Sequence, residues 1–257
     1  MAECLADAVA RIAAEAGALA MTRWSTGFDR WEKAPGDPVS EVDLAVDALL
    51  RERLCALLPD AGWLSEERAD DGARLSARRV WVVDPIDGTR DYLRERPGWA
   101  VSIALVEDGQ PVVAVLDAPA RSEVWRAEAG HGATCNGRAI RASHRTRLAG
   151  ARVPVDSLPA VDRDMVAVPK PNSIALRIAM VASGQADLVA TTRWGKEWDI
   201  AAATLLAREA GAIVTDALGQ PLAFNTLAAR AFGVLAAAPG VHDAAAKRFA
   251  ERAGAAL

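Results

Sequence analysis

The sequence has 257 residues, about half of them apolar and a quarter charged, and a formal net charge of −4. This length and composition fit one large globular domain or two closely packed halves, and the charge gives no general attraction to nucleic acid or to an anionic membrane. Three cysteines without a CxxC pairing argue for a reducing compartment, and three scattered histidines do not suggest a zinc site. We therefore expect a cytoplasmic protein in which any metal is bound mainly by carboxylates.

The N-terminal third is predicted to be helical. Residues 2–22 carry a charged residue about every fourth position, which is typical of an amphipathic helix and not of a signal peptide. Residues 40–58 predict a second helix with Ser40 as its N-cap. The segment between them, KAPGDPVS at 33–40, is rich in turn-forming residues and predicts a connector. No stretch reaches about 18 uncharged apolar residues, so we expect no membrane-spanning helix.

The middle of the chain changes to a period of two. Residues 79–141 predict a mostly antiparallel sheet, in which Glu107–Gln110 (EDGQ) between two apolar runs is a strong hairpin signal. Strands and helices alternate afterwards, with a helix at 199–211 that begins at Asp199 as N-cap and stops at Gly211. The other predicted elements are strands 164–168, 186–191, 212–216 and 232–239 and helices 173–184 and 240–253.

These elements predict an α/β (α+β) chain in which an antiparallel sheet leads into a more mixed one. We see no repeat, no low-complexity tract and no linker long enough to separate two domains. We therefore expect a single domain over 1–257, with an N-terminal α+β half at about 1–145 and a C-terminal α/β half at about 146–257.

The segment Val80–Tyr92, VWVVDPIDGTRDY, places Asp84 and Asp87 where an apolar strand ends. Ligands commonly bind at strand ends, and two carboxylates this close repel each other unless a cation lies between them. A hard divalent cation such as Mg²⁺ or Mn²⁺ fits that requirement, and the amides of Gly88 and Thr89 would suit a phosphate. Taken alone, the segment has an alternative interpretation as an Asp-rich turn without a ligand.

Two further acidic residues lie in suggestive surroundings. Glu66, in WLSEER, follows an apolar run and could reach the same site. Asp199, in EWDIAAA, begins a predicted helix, where an aspartate taken alone is usually only an N-cap.

Together these segments resemble the inositol monophosphatase superfamily. LSEE at 64–67, WVVDPIDGT at 81–89 and WDIAAATLLAREAGA at 198–212 are similar to its three signatures, in the same order. VSEVDLAVD at 39–47 is similar to the segment that precedes them, and the resemblance covers most of the chain. It implies the layered α-β-α-β-α sandwich shared with fructose-1,6-bisphosphatase, and a hydrolase that acts on phosphoric monoesters.

The resemblance also implies roles for individual positions. Asp43 and Thr89 would form a catalytic pair that orients the attacking water, and the Gly88 and Thr89 amides would hold the phosphate. Two or three Mg²⁺ ions, with Mn²⁺ as an alternative, would activate that water without a covalent intermediate. The family further implies inhibition by Li⁺ and commonly a homodimer. The implied metal ligands are Glu66, Asp84, Ile86 through its carbonyl, Asp87 and Asp199.

The substrate is less well determined by the resemblance. Inositol monophosphate is our first expectation, although Thr192 stands where animal-type members carry a glutamate that contacts inositol. LSEE and EWD are similar instead to 3′(2′),5′-bisphosphate nucleotidases, which act on adenosine 3′,5′-bisphosphate, and Gly-Thr-Arg also occurs in histidinol-phosphate phosphatases. Arg193 could bind a second phosphate and Trp194 could stack on a base; alternatively Trp194 packs on the sheet and Arg193 is solvated. The candidate substrate contacts are Arg90, Thr192, Arg193 and Trp194.

A non-enzymatic alternative is a protein that binds nucleic acid or the transcription machinery, as some bacterial family members do. Residues 138–152 contain five arginines and no acid, a pattern that such binding could use. A solvated basic loop is the simpler interpretation, so we expect a small phosphate ester as partner and neither a nucleic acid nor a membrane. The five are Arg138, Arg141, Arg145, Arg147 and Arg152.

Overall fold

The computed structural model describes residues 4–24, 29–34 and 37–254. The helices are α1 Leu5–Arg23, α2 Glu41–Leu57, α3 Thr89–Tyr92, α4 Ile174–Ala182, α5 Glu197–Glu209 and α6 Pro239–Gly254. The strands are β1 Arg30–Ala34, β2 Asp37–Ser40, β3 Gly62–Ser65, β4 Arg79–Asp87, β5 Ala100–Glu107, β6 Gln110–Ala118, β7 Glu123–Glu128, β8 Ala133–Cys135, β9 Arg138–Ala139, β10 Arg152–Pro154, β11 Val166–Val168, β12 Leu188–Lys196, β13 Ile213–Thr215 and β14 Arg230–Ala237.

The predicted sheet over 79–141 is confirmed and forms most of a seven-stranded sheet with the order β3-β4-β5-β6-β7-β8-β9. Its strands pair antiparallel except for the parallel pair β3–β4. The predicted hairpin also forms, because Asp108 and Gly109 take the positive φ angles, 49° and 80°, that a tight two-residue turn needs.

Side chains of this sheet alternate between two apolar cores. On β4, Trp81 and Val83 point into a core shared with α1 and α2, whereas Val80 and Val82 point into a core shared with α4 and α5. The second core continues into a three-stranded sheet of order β12-β14-β13, and α6 packs on the far side of β12 and β14. The layers therefore follow the expected α-β-α-β-α order.

Two local predictions need correction. Helix α5 begins at Glu197 with Lys196 as its N-cap, so Asp199 is not the N-cap but the third helical residue. The helix starts early because β12 runs to Lys196 and leads into it without a loop. In the predicted connector at 33–40, residues 33–34 end β1 and residues 37–40 form β2, which pairs antiparallel with β1; Pro35 and Gly36 lie outside the described residues. A four-residue strand is too short to give a clear period-two signal.

Ser40 caps α2 as predicted, with its hydroxyl accepting from the Val42 amide at 3.3 Å. The first helix is confirmed over the described residues, from Leu5; residues 2 and 3 lie outside them. Strand β12 extends five residues beyond the predicted strand and includes Thr192–Trp194. In the described ranges of the chain, no helix combines the length and the apolar character that crossing a bilayer requires.

Candidate active site

Strand β4 carries two of the predicted site aspartates at its end. Asp84 lies opposite Ser102 on β5, and the register slips before Asp87, which lies opposite Ala100. Such an irregularity changes the direction of side chains at a strand end. The Ile86 amide donates to Asp84 Oδ1 at 3.0 Å, which fixes the first carboxylate against the turn.

Gly88 follows Asp87 and starts helix α3. Its φ is 97°, and a Cβ at this position would lie 2.7 Å from the Gly98 carbonyl oxygen and 2.9 Å from the Ser173 nitrogen. Only glycine fits this combination of backbone conformation and close approach. The turn therefore holds the backbone of Gly88 and Thr89 tightly beside the two carboxylates.

Glu66 and Asp199 approach the same place from other segments. The Glu66 amide donates to the Val83 carbonyl at 3.2 Å, which continues the parallel β3–β4 pairing and sets Glu66 beside Asp84. Asp199 comes from the first turn of α5, where its carboxylate accepts from the Lys196 amide at 3.4 Å. The four predicted carboxylate ligands, which come from three separate parts of the chain, thus lie close enough to interact electrostatically.

Burial and neighbouring like charges both raise the pKa values of Asp84 and Asp199. Burial raises the pKa of Asp84 well above its ordinary value, and the charges of Glu66, Asp87 and Asp199 raise it further. Burial likewise raises the pKa of Asp199, followed by the charges of Asp87 and Glu66. Such a group of like charges in a buried place favours either protonation or a bound cation.

Asp87 differs because the N-terminus of α4 donates to it. Its carboxylate accepts hydrogen bonds from the Ser173 hydroxyl and from the Ala175 amide at 2.8 Å. Burial raises the pKa of Asp87 to about 6, although these bonds and the charge of Arg177 lower it. We did not predict this role of Ser173; a serine immediately before an apolar helix was the available signal.

The predicted pair of Asp43 and Thr89 is arranged differently. The Thr89 hydroxyl donates its single proton to the Ile86 carbonyl at 3.0 Å. The buried Asp43 carboxylate accepts from the Ser40 amide at 2.9 Å and from the Ser40 hydroxyl. Asp43 nevertheless lies near α3. Burial raises the pKa of Tyr92 at the end of α3, and the charge of Asp43 raises it further, which indicates that Asp43 is close. The catalytic role of the two residues stays a prediction.

A cavity of about 370 Å³ opens beside Asp87 and Asp199. Of the predicted substrate contacts, Arg90, Arg193 and Trp194 line it, and Thr192 is not among the lining residues. Trp194 is 58% exposed and meets Phe232 edge-on, with ring centroids 5.3 Å apart. The structure therefore allows both interpretations of Trp194, since the ring packs on Phe232 and is also accessible from the cavity.

Two further cations of this cavity were missed by sequence reasoning, Lys170 and Arg177. Arg177 Nε donates to the Pro171 carbonyl and Nη2 to the Asn172 carbonyl, both at 2.8 Å, so the guanidinium is held in place. Burial lowers the pKa of Arg177, while the nearby charge of Asp87 raises it. The sequence signal for Arg177 was its position as the one charged residue within the apolar segment that forms α4.

A sequence model described as the inositol monophosphatase family matches residues 1–254. The chain belongs to the inositol monophosphatase family. It is 37% identical over 202 residues to the Nus factor SuhB of Xylella fastidiosa, covering 73% of this chain and 72% of the relative. It is 35% identical over 204 residues to the inositol-1-monophosphatase of Rhizobium meliloti, covering 73% and 75%. The solved structure of the Thermotoga maritima IMPase superposes with a TM-score of 0.84 at 28% identity, covering 97% of this chain and 98% of that one.

Inositol monophosphatase family proteins are generally metal-dependent, and the donor atoms here are carboxylate and carbonyl oxygens, which suit a hard divalent cation. Within the described part of the chain, however, no three His, Cys, Asp or Glu side chains already form a group able to hold a metal ion. In this arrangement Asp84 shares a hydrogen bond with Glu66, and Asp87 accepts one from the Ala175 amide of α4. The residues fit such an ion chemically, since a cation would compensate the buried negative charge of carboxylates such as Asp84 and Asp199, whose pKa values are raised by burial and by their acidic neighbours.

The arginine-rich segment of this inositol monophosphatase family protein is partly structural. Arg152 bonds to the buried Asp187 at 2.7 and 2.9 Å, and Arg145 donates to the carbonyls of Arg147 and Ala149. Arg138, Arg141 and Arg147 have exposed side chains. The cluster therefore presents three of its five cations to solvent, as both a solvated loop and a nucleic-acid-binding surface would, so the choice between the two interpretations stays a prediction.

Proposed function

We propose that this protein is a Mg²⁺-dependent phosphomonoesterase that hydrolyses a small phosphorylated metabolite, with inositol monophosphate as the first candidate. The observation that carries the proposal is that Glu66, Asp84, Asp87 and Asp199 lie close enough to interact, and that two of them, Asp87 and Asp199, line a cavity together with several cations. Carboxylates bind a divalent metal ion, and arginine and lysine side chains bind a phosphate ester. The carboxylates and the cationic wall of the cavity could therefore bind a metal ion and a phosphate side by side. Membership of the inositol monophosphatase family supports the same reaction class.

The proposed ligands are the four carboxylates and the Ile86 carbonyl. A divalent ion bound there would neutralise phosphate charge and lower the pKa of a bound water. The chain itself would hold the ester with the Gly88 and Thr89 amides and with Arg90. Because the Thr89 hydroxyl donates to the Ile86 carbonyl, its oxygen could accept a hydrogen bond from a water at the site. Removing a proton from that water would require the hydroxyl to rotate and donate its own proton to the Asp43 carboxylate. Inhibition by Li⁺ and a homodimeric assembly belong to the same proposal.

A second candidate substrate is adenosine 3′,5′-bisphosphate. Lys170, Arg177 and Arg193 line the cavity in addition to Arg90, which is more positive charge than one phosphate needs. Trp194 is exposed beside them and offers an aromatic face for a base. These two observations favour a ligand with a second phosphate and an aromatic ring, and they supply the reason to test it alongside inositol monophosphate.

The test is phosphate release in Mg²⁺ from inositol 1-phosphate, adenosine 3′,5′-bisphosphate, histidinol phosphate and fructose 1,6-bisphosphate. We expect kcat/KM for one of the first two to exceed the others, and EDTA to abolish turnover.

Asp84→Asn should lower kcat by about 100-fold or more, because a lost ligand costs at least as much as a lost supporting residue. Asp243→Asn, at an exposed aspartate of α6, should leave turnover unchanged. Equal activity with and without EDTA, or a fully active Asp84→Asn protein, would rule out the proposal.

A further inference from the structure

Arg74 is a buried arginine close to the site but not part of it. It is 2% exposed and lies in a short 3₁₀ turn, Ala73–Ser76. Its Nε and Nη2 donate to Asp70 Oδ2 at 3.1 and 2.6 Å. Its Nη1 donates to the Asn225 side-chain oxygen at 2.6 Å, and Nη2 donates to the Thr226 carbonyl at 2.9 Å. One guanidinium therefore joins the segment that follows Glu66 to the loop that precedes β14.

Glu197 binds the same loop from the opposite side. It is fully buried at the first position of α5. Its carboxylate accepts from the Asn225 amide at 2.7 Å, from the Thr226 amide at 3.0 Å and from the Thr226 hydroxyl. A buried carboxylate with three donors and a buried guanidinium with four bonds are both well satisfied, so this network is rigid.

We name this network the Arg74–Glu197 bridge; it consists of Asp70, Arg74, Asn225, Thr226 and Glu197. Its two ends lie close to two of the proposed metal ligands. Asp70 is four residues after Glu66, and Glu197 is two residues before Asp199. The bridge therefore connects the segment that carries one carboxylate to the helix that carries the other.

The segment before Asp70 is held at a second point. The buried Asp47 of α2 accepts from the Ser65 hydroxyl and from Arg68 Nε at 2.5 Å. Ser65 and Arg68 flank Glu66, so the backbone around Glu66 is fixed by α2 on one side and by the bridge on the other. Among the residues that the structure describes, α2 makes no hydrogen bond to Asp199, whose position relative to Glu66 depends on the start of α5.

We propose that the Arg74–Glu197 bridge sets the separation of Glu66 and Asp199 and thereby the affinity of the site for its divalent cation, an inference that rests on the proposed function. Glu66 and Asp199 are both acidic and come from separate segments, so their separation depends on how those two segments are held, and the bridge ties one segment to the other through the loop at Asn225 and Thr226. Residues that support metal ligands from outside typically change metal affinity by about 10–100-fold. Arg74 and Glu197 are positioning residues in this proposal and do not contact the reacting atoms.

The experiment is titration of Mg²⁺ into the purified full-length protein by calorimetry, with thermal unfolding measured in parallel. The main variant is Arg74→Lys, because lysine keeps a positive charge for Asp70 but cannot also bond Asn225 and Thr226. We expect about tenfold weaker Mg²⁺ binding. We also expect a matching rise in the Mg²⁺ concentration for half-maximal activity, with kcat restored at saturating Mg²⁺.

The matched control is Arg152→Lys, since Arg152 also joins a buried aspartate, Asp187, to a backbone carbonyl, that of Gly184. It should lower the unfolding temperature without changing Mg²⁺ affinity. Equal Mg²⁺ affinity in wild type and Arg74→Lys would overturn the positioning role while leaving the proposed function intact. A wild-type protein that binds no Mg²⁺ would overturn both. If Arg74→Lys does not fold, Asp70→Asn, at the half-exposed end of the bridge, takes its place with the same expected weakening.

Discussion

Two buried aspartates outside the site show how neighbouring groups decide the ionisation of a carboxyl. Asp187 and Asp117 are 1% and 4% exposed. Burial alone would raise the pKa of Asp187, but the bonds from Arg152 and Ser143 bring it down to about 2. Asp117 has no hydrogen-bond donor among the residues that the structure describes, and burial raises its pKa to about 7. The same residue type is therefore ionised at one position and largely neutral below pH 7 at the other.

Asp117 leads to a prediction about stability and pH. Its pKa is higher in the folded protein than the ordinary 3.8, so the folded state binds the proton more tightly than the unfolded state. The protonated Asp117 carboxyl therefore contributes to the free energy of unfolding below about pH 4. This contribution is lost as the pH rises through about 7, and the loss amounts to up to about 4 kcal/mol. Asp117→Asn should remove the part of the pH dependence of the unfolding free energy that Asp117 causes. Urea unfolding of both proteins at pH 5 and pH 8 measures it, and an unchanged slope in the variant would contradict the assignment.

Gly17 of α1 leaves the space that the buried Asp117 carboxyl occupies. A Cβ on Gly17 of α1 would lie 1.9 Å from Asp117 Oδ2, so the carboxyl occupies the space that a larger residue in the helix would fill. The helix and the strand meet closely at this point because position 17 has no side chain.

At the scale of elements, the helix N-termini organise the candidate site. The capping serine of α2, Ser40, is bonded to Asp43, and the capping serine of α4, Ser173, is bonded to Asp87. The Ser173 hydroxyl oxygen also accepts from the Leu176 amide at 2.9 Å. Each serine thus starts a helix and orients a predicted site carboxylate, so helix capping and site geometry are coupled.

Replacing Ser173 with alanine should therefore have two effects. Loss of the cap should lower the free energy of unfolding by about 1 kcal/mol. Loss of the donor to Asp87 should also reduce phosphatase activity beyond what the lower stability explains. The control is Ser183→Ala, at the other end of α4, whose hydroxyl donates only to the Met180 carbonyl. Denaturant unfolding and turnover at a temperature where both variants are folded would distinguish them; equal activities would contradict the coupling.

At the scale of the whole molecule, one apolar core joins the two halves of the chain. Leu64 and Val82 from the N-terminal half contact the same cluster as Leu206 and Val234 from the C-terminal half. Helix α5 packs across the seven-stranded sheet and also contacts the three-stranded sheet, so neither half buries its apolar surface alone. We propose on this basis that residues 1–257 form a single domain.

A single shared core predicts one cooperative unfolding transition. Buried tryptophans report on the N-terminal half, with Trp81 on β4 and Trp125 on β7, whereas far-UV circular dichroism reports on helices of both halves. Fluorescence and circular dichroism should therefore give coincident urea transitions. Two separated transitions would show instead that the halves near residue 145 unfold independently.

Local patterns predicted most of the elements correctly because they depend on residues a few positions apart. The Ser40 cap, the Asp108–Gly109 turn and the alternation along β4 all follow from neighbouring residues. The start of α5 was misplaced for the same reason. An aspartate in a first helical turn is favourable at several positions, and only the length of β12 decided that Lys196 precedes the helix.

The family, the layered fold and the acidic residues that are candidates for the site could be identified from motifs that are continuous and ordered along the chain. That Glu66 and Asp199 lie near Asp84, that Lys170 and Arg177 line the cavity, and that the Thr89 hydroxyl donates to Ile86 became known only from the folded chain. The physical reason is that these contacts depend on strand pairing and on the packing of α4 and α5 against the sheet. Such long-range arrangements leave no signal in the spacing of nearby residues.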